Sequence, residues 1–155
     1  MTARLHDLTS WHADWRGLRV VVLGLSVTGF SVADTLAELG ADVLVATEGA
    51  DAEYARLLPV IGVSLHDGSL QSVPDAVVAH APDVVIASPG FPPHHPVIRW
   101  ARESGIALWG DIELAWRVRD KVVRPDGSPA DWLLITGTNG KTTTTQLTAA
   151  MLAAG

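Results

Sequence analysis

The stretch Leu18-Arg-Val-Val-Val-Leu-Gly-Leu-Ser-Val-Thr-Gly29 places an almost unbroken apolar run directly before a short loop bounded by two glycines. A run of this kind is typical of a buried parallel strand. Beyond the loop, apolar residues recur at helical spacing up to Leu39, and Gly40 supplies a C-terminal stop. The stretch therefore predicts a strand from Leu18 to Leu23, a tight loop, and a helix from about Thr28 to Leu39.

The same alternation of strand and helix continues along the chain to about residue 119. The expected strands are Val43–Ala46, Val63–Leu65, Asp83–Ala87 and Ile106–Trp109, and the expected helices are Ala52–Leu58, Val97–Ser104 and Ile112–Arg119. Alternation of this kind predicts an α/β fold, in which a Rossmann-like, mainly parallel sheet carries helices on both faces. The leader, residues 1–16, shows no clear period and is interpreted as an arm packed on this domain, which spans residues 1–124.

Composition and charge narrow the classes of partner. The chain has 155 residues, of which 48% are hydrophobic and 18% charged, and this balance favours a globular domain over disorder. The formal net charge of -6 argues against a nucleic-acid-binding surface, because phosphate neutralisation needs clustered Lys and Arg. No apolar run is long enough to span a bilayer, and the N-terminus lacks the apolar core of a signal peptide. We therefore expect a cytoplasmic monomer that takes a small ligand rather than nucleic acid or a membrane.

A second glycine loop lies near the end of the chain, after a turn-forming segment with two prolines. That segment, residues 125–130, is predicted to be a linker. A strand at Trp132–Ile135, the loop Gly137-Thr-Asn-Gly140 and a helix at Thr142–Ala154 are expected to follow. Residues 131–155 are therefore interpreted as the first strand, loop and helix of a second, truncated domain.

The residues of this second loop suit a nucleoside triphosphate. Its glycines and asparagine allow a tight backbone cradle, while Lys141 would bring a positive charge to the β- and γ-phosphates and Thr142 would hold Mg²⁺. The strict phosphate-loop pattern expects a glycine where Ile135 stands, so one position departs from it. The alternative is a structural turn with a lysine cap.

The first loop, Gly24–Gly29, stands where a dinucleotide-binding fingerprint belongs but has Ser26 at the position of the middle glycine. In that fingerprint the middle glycine lets a pyrophosphate approach the backbone, so a Cβ there disfavours the usual pose of NAD. The hydroxyls of Ser26 and Thr28, together with the N–H groups at the start of the helix, could instead bind phosphate. The alternative is a tight turn with a helix cap.

Four segments of the chain together resemble the Mur ligase family. The form Gly137-Thr-Asn-Gly-Lys-Thr-Thr143 is found in Mur ligases and in the related folylpolyglutamate synthases. The other three segments, which favour the Mur ligases, are Gly24–Gly29, Ser88-Pro-Gly-Phe-Pro-Pro-His-His-Pro96 and Gly110-Asp-Ile-Glu-Leu114. The resemblance runs from about Gly17 to Gly155. It implies a Rossmann-like domain that binds the UDP end of the substrate, followed by the start of a central ATPase domain.

The resemblance also implies a reaction. A ligase of this kind uses ATP and Mg²⁺ to convert the carboxylate of UDP-N-acetylmuramoyl-L-alanine into an acyl phosphate, which the amine of D-glutamate then attacks. This is a step of peptidoglycan precursor synthesis. The D-glutamate site and most of the ATPase domain would lie outside this chain, so the fragment itself is expected to be inactive.

The resemblance also implies functional roles for individual residues. In the UDP pocket, Ser26, Val27 and Thr28 are expected on the diphosphate, Thr47 near the uracil, and Ser88, Pro89 and Gly90 along the wall. In the ATP site the expected residues are Gly137, Thr138, Asn139, Gly140, Lys141, Thr142 and Thr143, with Lys141 catalytic and Thr142 on Mg²⁺. Many relatives have an acidic residue at the position of Ala46, directly before the threonine.

Three alternatives stay open: a non-catalytic UDP-sugar-binding module, another Mur or folylpolyglutamate-type ligase, and an NAD-dependent oxidoreductase with Glu48 on the ribose. Two polar segments have ordinary structural interpretations. His94 and His95 are expected in a loop before Pro96 rather than at a metal. The basic run from Arg117 to Arg124 is expected to be a solvated helix end.

Overall fold

The computed structural model describes residues 2–88 and 90–154. The chain divides into two compact units, Met1–Val122 and Val123–Gly155. The first unit contains α1 (Thr2–Asp7), β1 (Arg19–Leu23), α2 (Val27–Glu38), β2 (Asp42–Thr47), α3 (Ala52–Leu57), a 3₁₀ turn (Leu58–Ile61), β3 (Ser64–Asp67), α4 (Asp75–His80), β4 (Val84–Ala87), α5 (Pro96–Glu103), β5 (Ala107–Trp109) and α6 (Asp111–Arg117). The second unit contains α7 (Lys141–Ala154). Among the described helices, none has the length and hydropathy needed to cross a membrane.

The first unit is built on one five-stranded sheet in which all neighbouring strands run parallel, in the order β3-β2-β1-β4-β5. Val21 of the central strand lies opposite Leu44 of β2 and Val85 of β4. The chain moves outward from β1 to β3, then returns to the other side of β1 for β4 and β5. The predicted α/β fold with a parallel sheet is therefore confirmed, and a topological switch point lies between β1 and β4.

Helices cover both faces of the sheet because both faces of its central strands are apolar. On one face, Val20 and Val22 pack with residues of α2 and with Trp15 of the leader. On the other face, Val21 and Leu23 pack with residues of α4 and α5. All four strand residues are buried, as an unbroken apolar run indicates for a central parallel strand.

The leader packs on the domain, as expected, and it contains the short helix α1 that its sequence pattern did not indicate. The turn after α1 carries two buried side chains, Leu8 and Trp15. Trp15 meets Trp109 of β5 edge to face, with ring centroids 6.3 Å apart. The leader is therefore part of the hydrophobic core.

The basic run from Arg117 to Arg124 is only in part the solvated segment that was expected, since residues 121–124 are exposed but Arg117 is not. The Arg117 guanidinium donates hydrogen bonds to the carbonyl oxygens of Leu5 and Leu8, and its side chain is only 16% exposed. Asp120 accepts hydrogen bonds from the Ser10 hydroxyl and the Trp11 N–H. The solvated interpretation was wrong for Arg117, because its guanidinium satisfies carbonyl oxygens of the leader.

One helix of the sheet's covering layers was also missed. α4 has six residues, begins after Pro74 and buries Val77 alone. The other elements of the first unit lie close to their expected positions, β3 being shifted toward Asp67.

In the second unit, Val123 and Pro129 make an isolated antiparallel bridge, so most of residues 125–130 lie in the turn between them. The Arg124 N–H donates to the Ser128 carbonyl oxygen at 2.8 Å. The strand expected at Trp132–Ile135 is wrong, since this segment has no regular secondary structure. A strand exists only through hydrogen bonds to a neighbouring strand, and the described residues of this unit supply none. The helix expected after the loop is present as α7.

Candidate functional site

The candidate site lies at the carboxyl edge of the sheet, beside the switch point. Parallel strands all end at this edge, so the loops after β1, β2, β3 and β4 meet there. In open α/β sheets, ligands bind in the crevice outside the carboxyl ends of the strands at such a point. The loops after β1 and β4 are the two that flank it.

Two glycines fix the shape of the loop after β1. Gly24 has a φ of +91°, a conformation that L side chains rarely adopt, and its N–H donates to the Ala46 carbonyl oxygen at 2.9 Å. A Cβ on Gly29 would overlap the Gly24 carbonyl oxygen. The first turn of α2 is therefore pressed against the end of β1, as in the fingerprint that this loop resembles.

Ser26 occupies the N-cap position of α2. Its Oγ accepts a hydrogen bond from the Gly29 N–H at 3.4 Å, so the helix cap considered as the alternative is formed. The hydroxyl hydrogen is still able to donate. The N–H groups of Val27 and Thr28 begin the helix and have no carbonyl four residues earlier within it. These residues are exposed and stand at the positive end of a twelve-residue helix, which favours negative charge nearby.

A cavity of about 400 Å³ lies at the same edge of the sheet. Three parts of the chain line it: Thr47 ends β2 and Glu48 follows it, Leu70 and Gln71 follow β3, and Phe91, Pro92, His94, His95 and Pro96 follow β4. Thr47 is the buried polar residue of this wall, with 6% of its surface exposed. The structure thus places Thr47, the residue expected near the uracil, in a cavity wall.

The carboxylates near this cavity accept hydrogen bonds from backbone N–H groups. The Glu48 Oε2 accepts a hydrogen bond from the Leu70 N–H at 3.3 Å. The Asp67 Oδ1 accepts one from the Gly49 N–H at 2.9 Å. These bonds connect the loops after β2 and β3. Glu48 is thus engaged with the protein itself rather than held ready for a ribose.

Phe91 connects the cavity to the first glycine loop. A Cβ on Gly24 would lie 2.9 Å from the Phe91 Cε2, so the ring lies directly against that loop. The Phe91 N–H donates to the Ser88 carbonyl oxygen at 3.1 Å, which turns the chain after β4. Ser88 is half-buried and Gly90 is exposed, while Pro89 lies outside the described residues. The loops after β1 and β4 therefore come together, as the predicted pocket requires.

His95 was assigned to a loop by its sequence, and the structure places it both in that loop and in the cavity wall. Its ring meets Phe91 edge to face, with centroids 5.0 Å apart. Its Nδ1 is buried without a hydrogen-bond partner. Burial, and secondarily the neighbouring His94, lower the pKa of His95. Within the described residues, no group of three or more His, Cys, Asp or Glu side chains could hold a metal ion.

The second glycine loop lies on the surface of its own unit. Gly137 and Gly140 have φ values of +157° and +75°, as a tight loop requires. The Lys141 Nζ donates to the Gly137 carbonyl oxygen at 2.6 Å. Residues 136–147 are all exposed, including Thr138, Asn139, Thr142 and Thr143. The lysine thus lies across the mouth of its loop, where the predicted phosphate contact would form.

A parallel sheet with a glycine loop at its switch point is typical of the Rossmann-type nucleotide-binding domains. Residues 18–110 match the family model described as Mur ligase MurD-like, N-terminal domain, and the chain belongs to this family. The resemblance to the Mur ligase family is thereby confirmed.

Similar proteins carry a more particular name, UDP-N-acetylmuramoylalanine--D-glutamate ligase. The protein of that name from Leifsonia xyli subsp. xyli is 61% identical over 155 residues, which cover 98% of this chain and 30% of that protein. The one from Tropheryma whipplei (strain Twist) is 45% identical over 151 residues, covering 97% and 30%. The one from Mycolicibacterium smegmatis is 40% identical over 139 residues, covering 90% and 27%. The chain thus spans about 30% of the length of these relatives.

Proposed function

We propose that the chain is the N-terminal part of an ATP-dependent ligase that joins D-glutamate to UDP-N-acetylmuramoyl-L-alanine in peptidoglycan precursor synthesis. The observation that carries the proposal is that Phe91, which lines the cavity at the carboxyl edge of the sheet, lies against the glycine loop that leads into α2. The names of the relatives support this choice of substrates. The family match removes the support for an NAD-dependent oxidoreductase.

In this proposal the diphosphate of the substrate lies on the start of α2. The N–H groups of Val27 and Thr28 donate to its oxygens, and the hydroxyls of Ser26 and Thr28 add further donors. The uracil enters the cavity beside Thr47. Ser88 and Gly90, which follow β4, border the ligand from the other side of the switch point. Pro89 is expected there too.

The second loop would bind the triphosphate of ATP through Gly137, Thr138, Asn139, Gly140 and Thr143. Lys141 fits this task, because its ammonium group already contacts a carbonyl oxygen across the loop mouth and can exchange that oxygen for one of a phosphate. Thr142 places a hydroxyl beside it for Mg²⁺. ATP would supply the phosphoryl group that forms the acyl phosphate, and Mg²⁺ would neutralise charge on it.

The role of Lys141 in that reaction is electrostatic. Its positive charge would stabilise the charge that develops on the transferring phosphoryl group, which is the main contribution a protein makes to this chemistry. We propose that residues 1–155 alone cannot complete the reaction, because the D-glutamate site belongs to segments of the ligase outside them. D-glutamate-dependent release of phosphate by the purified 155-residue chain would contradict this statement. A cytoplasmic location and a monomeric state remain predictions.

A single substitution tests the diphosphate site without removing a core side chain. Val27 is 67% exposed at the first position of α2. Val27→Glu would place a carboxylate where it favours the helix but repels a bound diphosphate. We expect the affinity for UDP-N-acetylmuramoyl-L-alanine, measured by titration calorimetry, to fall about tenfold or more, a loss of about 1.4 kcal/mol or more.

The matched control is Val60→Glu, since Val60 is 80% exposed on the 3₁₀ turn. The control should bind as the wild type does. Equal affinities of all three proteins would exclude the helix start as the diphosphate site. Absence of saturable binding to the wild type would contradict the proposed UDP pocket itself. Binding without any ligase activity in a full-length protein would instead favour the UDP-sugar-binding module.

A further inference from the structure

The leader and the basic run at the end of α6, two segments to which the proposed function gives no task, meet in the structure. Both lie outside residues 18–110, the part of the chain that matches the family model. The Arg119 guanidinium donates to the Thr9 carbonyl oxygen at 3.4 Å, and the Asp120 carboxylate accepts from the Trp11 N–H at 2.6 Å. The leader is therefore hydrogen-bonded to the last residues of the first unit.

Three further contacts fix the same part of the chain. The Arg117 guanidinium, which donates to two carbonyl oxygens of the leader, also lies over the ring of the β5 tryptophan, 4.1 Å from its centroid. The Lys121 Nζ lies 4.0 Å from the centroid of the Trp11 ring and 2.6 Å from the Glu38 carboxylate of α2. Contacts with the leader, α2 and β5 thus hold residues 117–121 in place.

The segment that follows the unit boundary is fixed by contacts of its own. Val123 and Pro129 form an antiparallel bridge, which closes a turn. Within this turn the Gly127 N–H donates to the Arg124 carbonyl oxygen at 2.9 Å. The Arg124 guanidinium also lies 2.7 Å from the Asp131 carboxylate. The proline-containing turn is therefore held closed, as a loose linker would not be.

Val122 lies between these two fixed segments. Its side chain is 76% exposed, and the boundary between the two compact units falls directly after it. We propose that the leader acts as a clamp on residues 117–121, and that the flexible joint between the units is Val122 rather than the proline-containing turn. The inference does not depend on the proposed substrates. A joint this short limits the motion of the second unit, because the reach of a linker grows with its number of flexible residues.

Backbone order parameters from ¹⁵N relaxation of the 155-residue chain test the position of the joint. Rigid backbone gives values of about 0.85, and flexible backbone gives values below about 0.6. We expect a minimum below about 0.6 at Val122, between values of about 0.85 over residues 117–121 and 124–128. A minimum within residues 125–130, or a Val122 as rigid as β1, would overturn the proposal.

Asp120→Ala tests the clamp, because it removes the acceptor of the hydrogen bonds from Ser10 and Trp11. We expect the flexible region to extend toward α6, with the order parameters of residues 119–121 falling from about 0.85 to below about 0.6. Asp34→Ala, at an exposed position of α2, is the matched control and should keep the wild-type profile. Wild-type order parameters at residues 119–121 in Asp120→Ala would show that the leader is not a clamp.

Lys121→Met replaces Asp120→Ala as the test of the clamp if that variant fails to fold. The Lys121 side chain is 45% exposed, and the substitution removes its charge from the Glu38 carboxylate and the Trp11 ring while keeping a side chain of similar length. The order parameters of residues 120–121 should then fall, and unchanged values would exclude the clamp. The minimum in the wild type decides the position of the joint in either case.

Discussion

The chain contains two glycine loops that sequence patterns relate to phosphate binding. The two loops differ in how the surrounding structure supports them. The loop Gly24–Gly29 connects a buried strand to a helix, and its conformation is fixed by contacts with the sheet. The loop Gly137–Gly140 precedes a helix with no buried residue, and no strand is formed before it. A glycine pattern therefore permits a phosphate loop, but the surrounding sheet is what holds it in shape.

The energetic difference between the two loops lies in what each glycine touches. A Cβ on Gly29 would overlap the Gly24 carbonyl oxygen, whereas a Cβ on Gly140 would meet nothing within 4 Å. Close packing leaves the first loop no room to adjust. Substitutions test how far this support extends, and the largest effect is expected within the first loop itself.

Gly29→Ser should unfold or severely destabilise the first unit. The added Cβ must displace either the first turn of α2 or the end of β1, and we expect a loss of about 3 kcal/mol or more. Urea denaturation followed by tryptophan fluorescence measures this change. The matched control is Gly110→Ser, because Gly110 has open space around it and occupies the N-cap of α6, where serine is favoured. A Gly29→Ser protein as stable as this control would contradict the close packing.

Asp83→Asn tests whether the support of the first loop reaches the opposite edge of the sheet. Asp83 lies just before β4, and its carboxylate accepts hydrogen bonds from the Arg19 guanidinium at 3.0 Å and from the Arg19 N–H at 3.0 Å. These bonds join the starts of β1 and β4, the strands that flank the switch point. We expect a loss of about 1–2 kcal/mol in the free energy of unfolding. Glu103→Gln, which removes an exposed ion pair with Arg99, should cost less than about 0.5 kcal/mol.

The stability that the Arg19–Asp83 pair contributes depends on pH in a definite direction. Burial raises the pKa of Asp83, but the hydrogen bonds and charge of Arg19 lower it more, so the pKa lies below its usual value. A lowered pKa in the folded state means that the carboxylate stabilises the protein above about pH 4 and loses this contribution as the pH falls through the folded pKa. The stability difference between wild type and Asp83→Asn should therefore shrink below about pH 4. A difference that grows in acid would contradict the ion pair.

Much of the first unit was predictable because its signals are local. The apolar run and two glycines between Leu18 and Gly29 specify a strand, a loop and a helix within twelve residues, and the structure contains all three. The strand expected at Trp132–Ile135 carries the same kind of apolar signal. It fails because strand formation depends on a partner, and Leu134 is instead 82% exposed.

The cavity was only partly predictable, for a different reason. Thr47 was expected from the family resemblance, whereas Phe91 and His95 were not recognised as lining residues. Their positions depend on how the loops after β2, β3 and β4 meet in space, and no periodicity records such a meeting. The role of Arg117 in holding the leader was missed likewise, since its carbonyl partners lie more than a hundred residues earlier.

Asp120→Asn is expected to have a smaller effect within the first unit. The hydrogen bonds that Asp120 accepts from Ser10 and Trp11 lower its pKa, and they attach the leader to the segment after α6. Weakening them should cost about 0.5–1 kcal/mol and speed proteolysis of the leader. Asp126→Asn weakens a comparable hydrogen bond donated by Ser128 in the second unit. It should leave unfolding of the first unit unchanged, and an equal effect of both variants would contradict the independence of the two regions.

The smallest expected effect belongs to Lys141→Met. Lys141 contacts only an exposed carbonyl oxygen of its own loop in the hydrogen bonds described, so its loss should change the stability of the first unit by less than about 0.3 kcal/mol. Segments with few buried contacts open readily, and amides from Trp132 to Ala154 should exchange with solvent much faster than those of β1. Hydrogen exchange in wild type and variant measures both regions at once. If the amides of α7 exchange as slowly as those of β1, packing also supports the second loop. The two loops would then differ in sequence but not in packing.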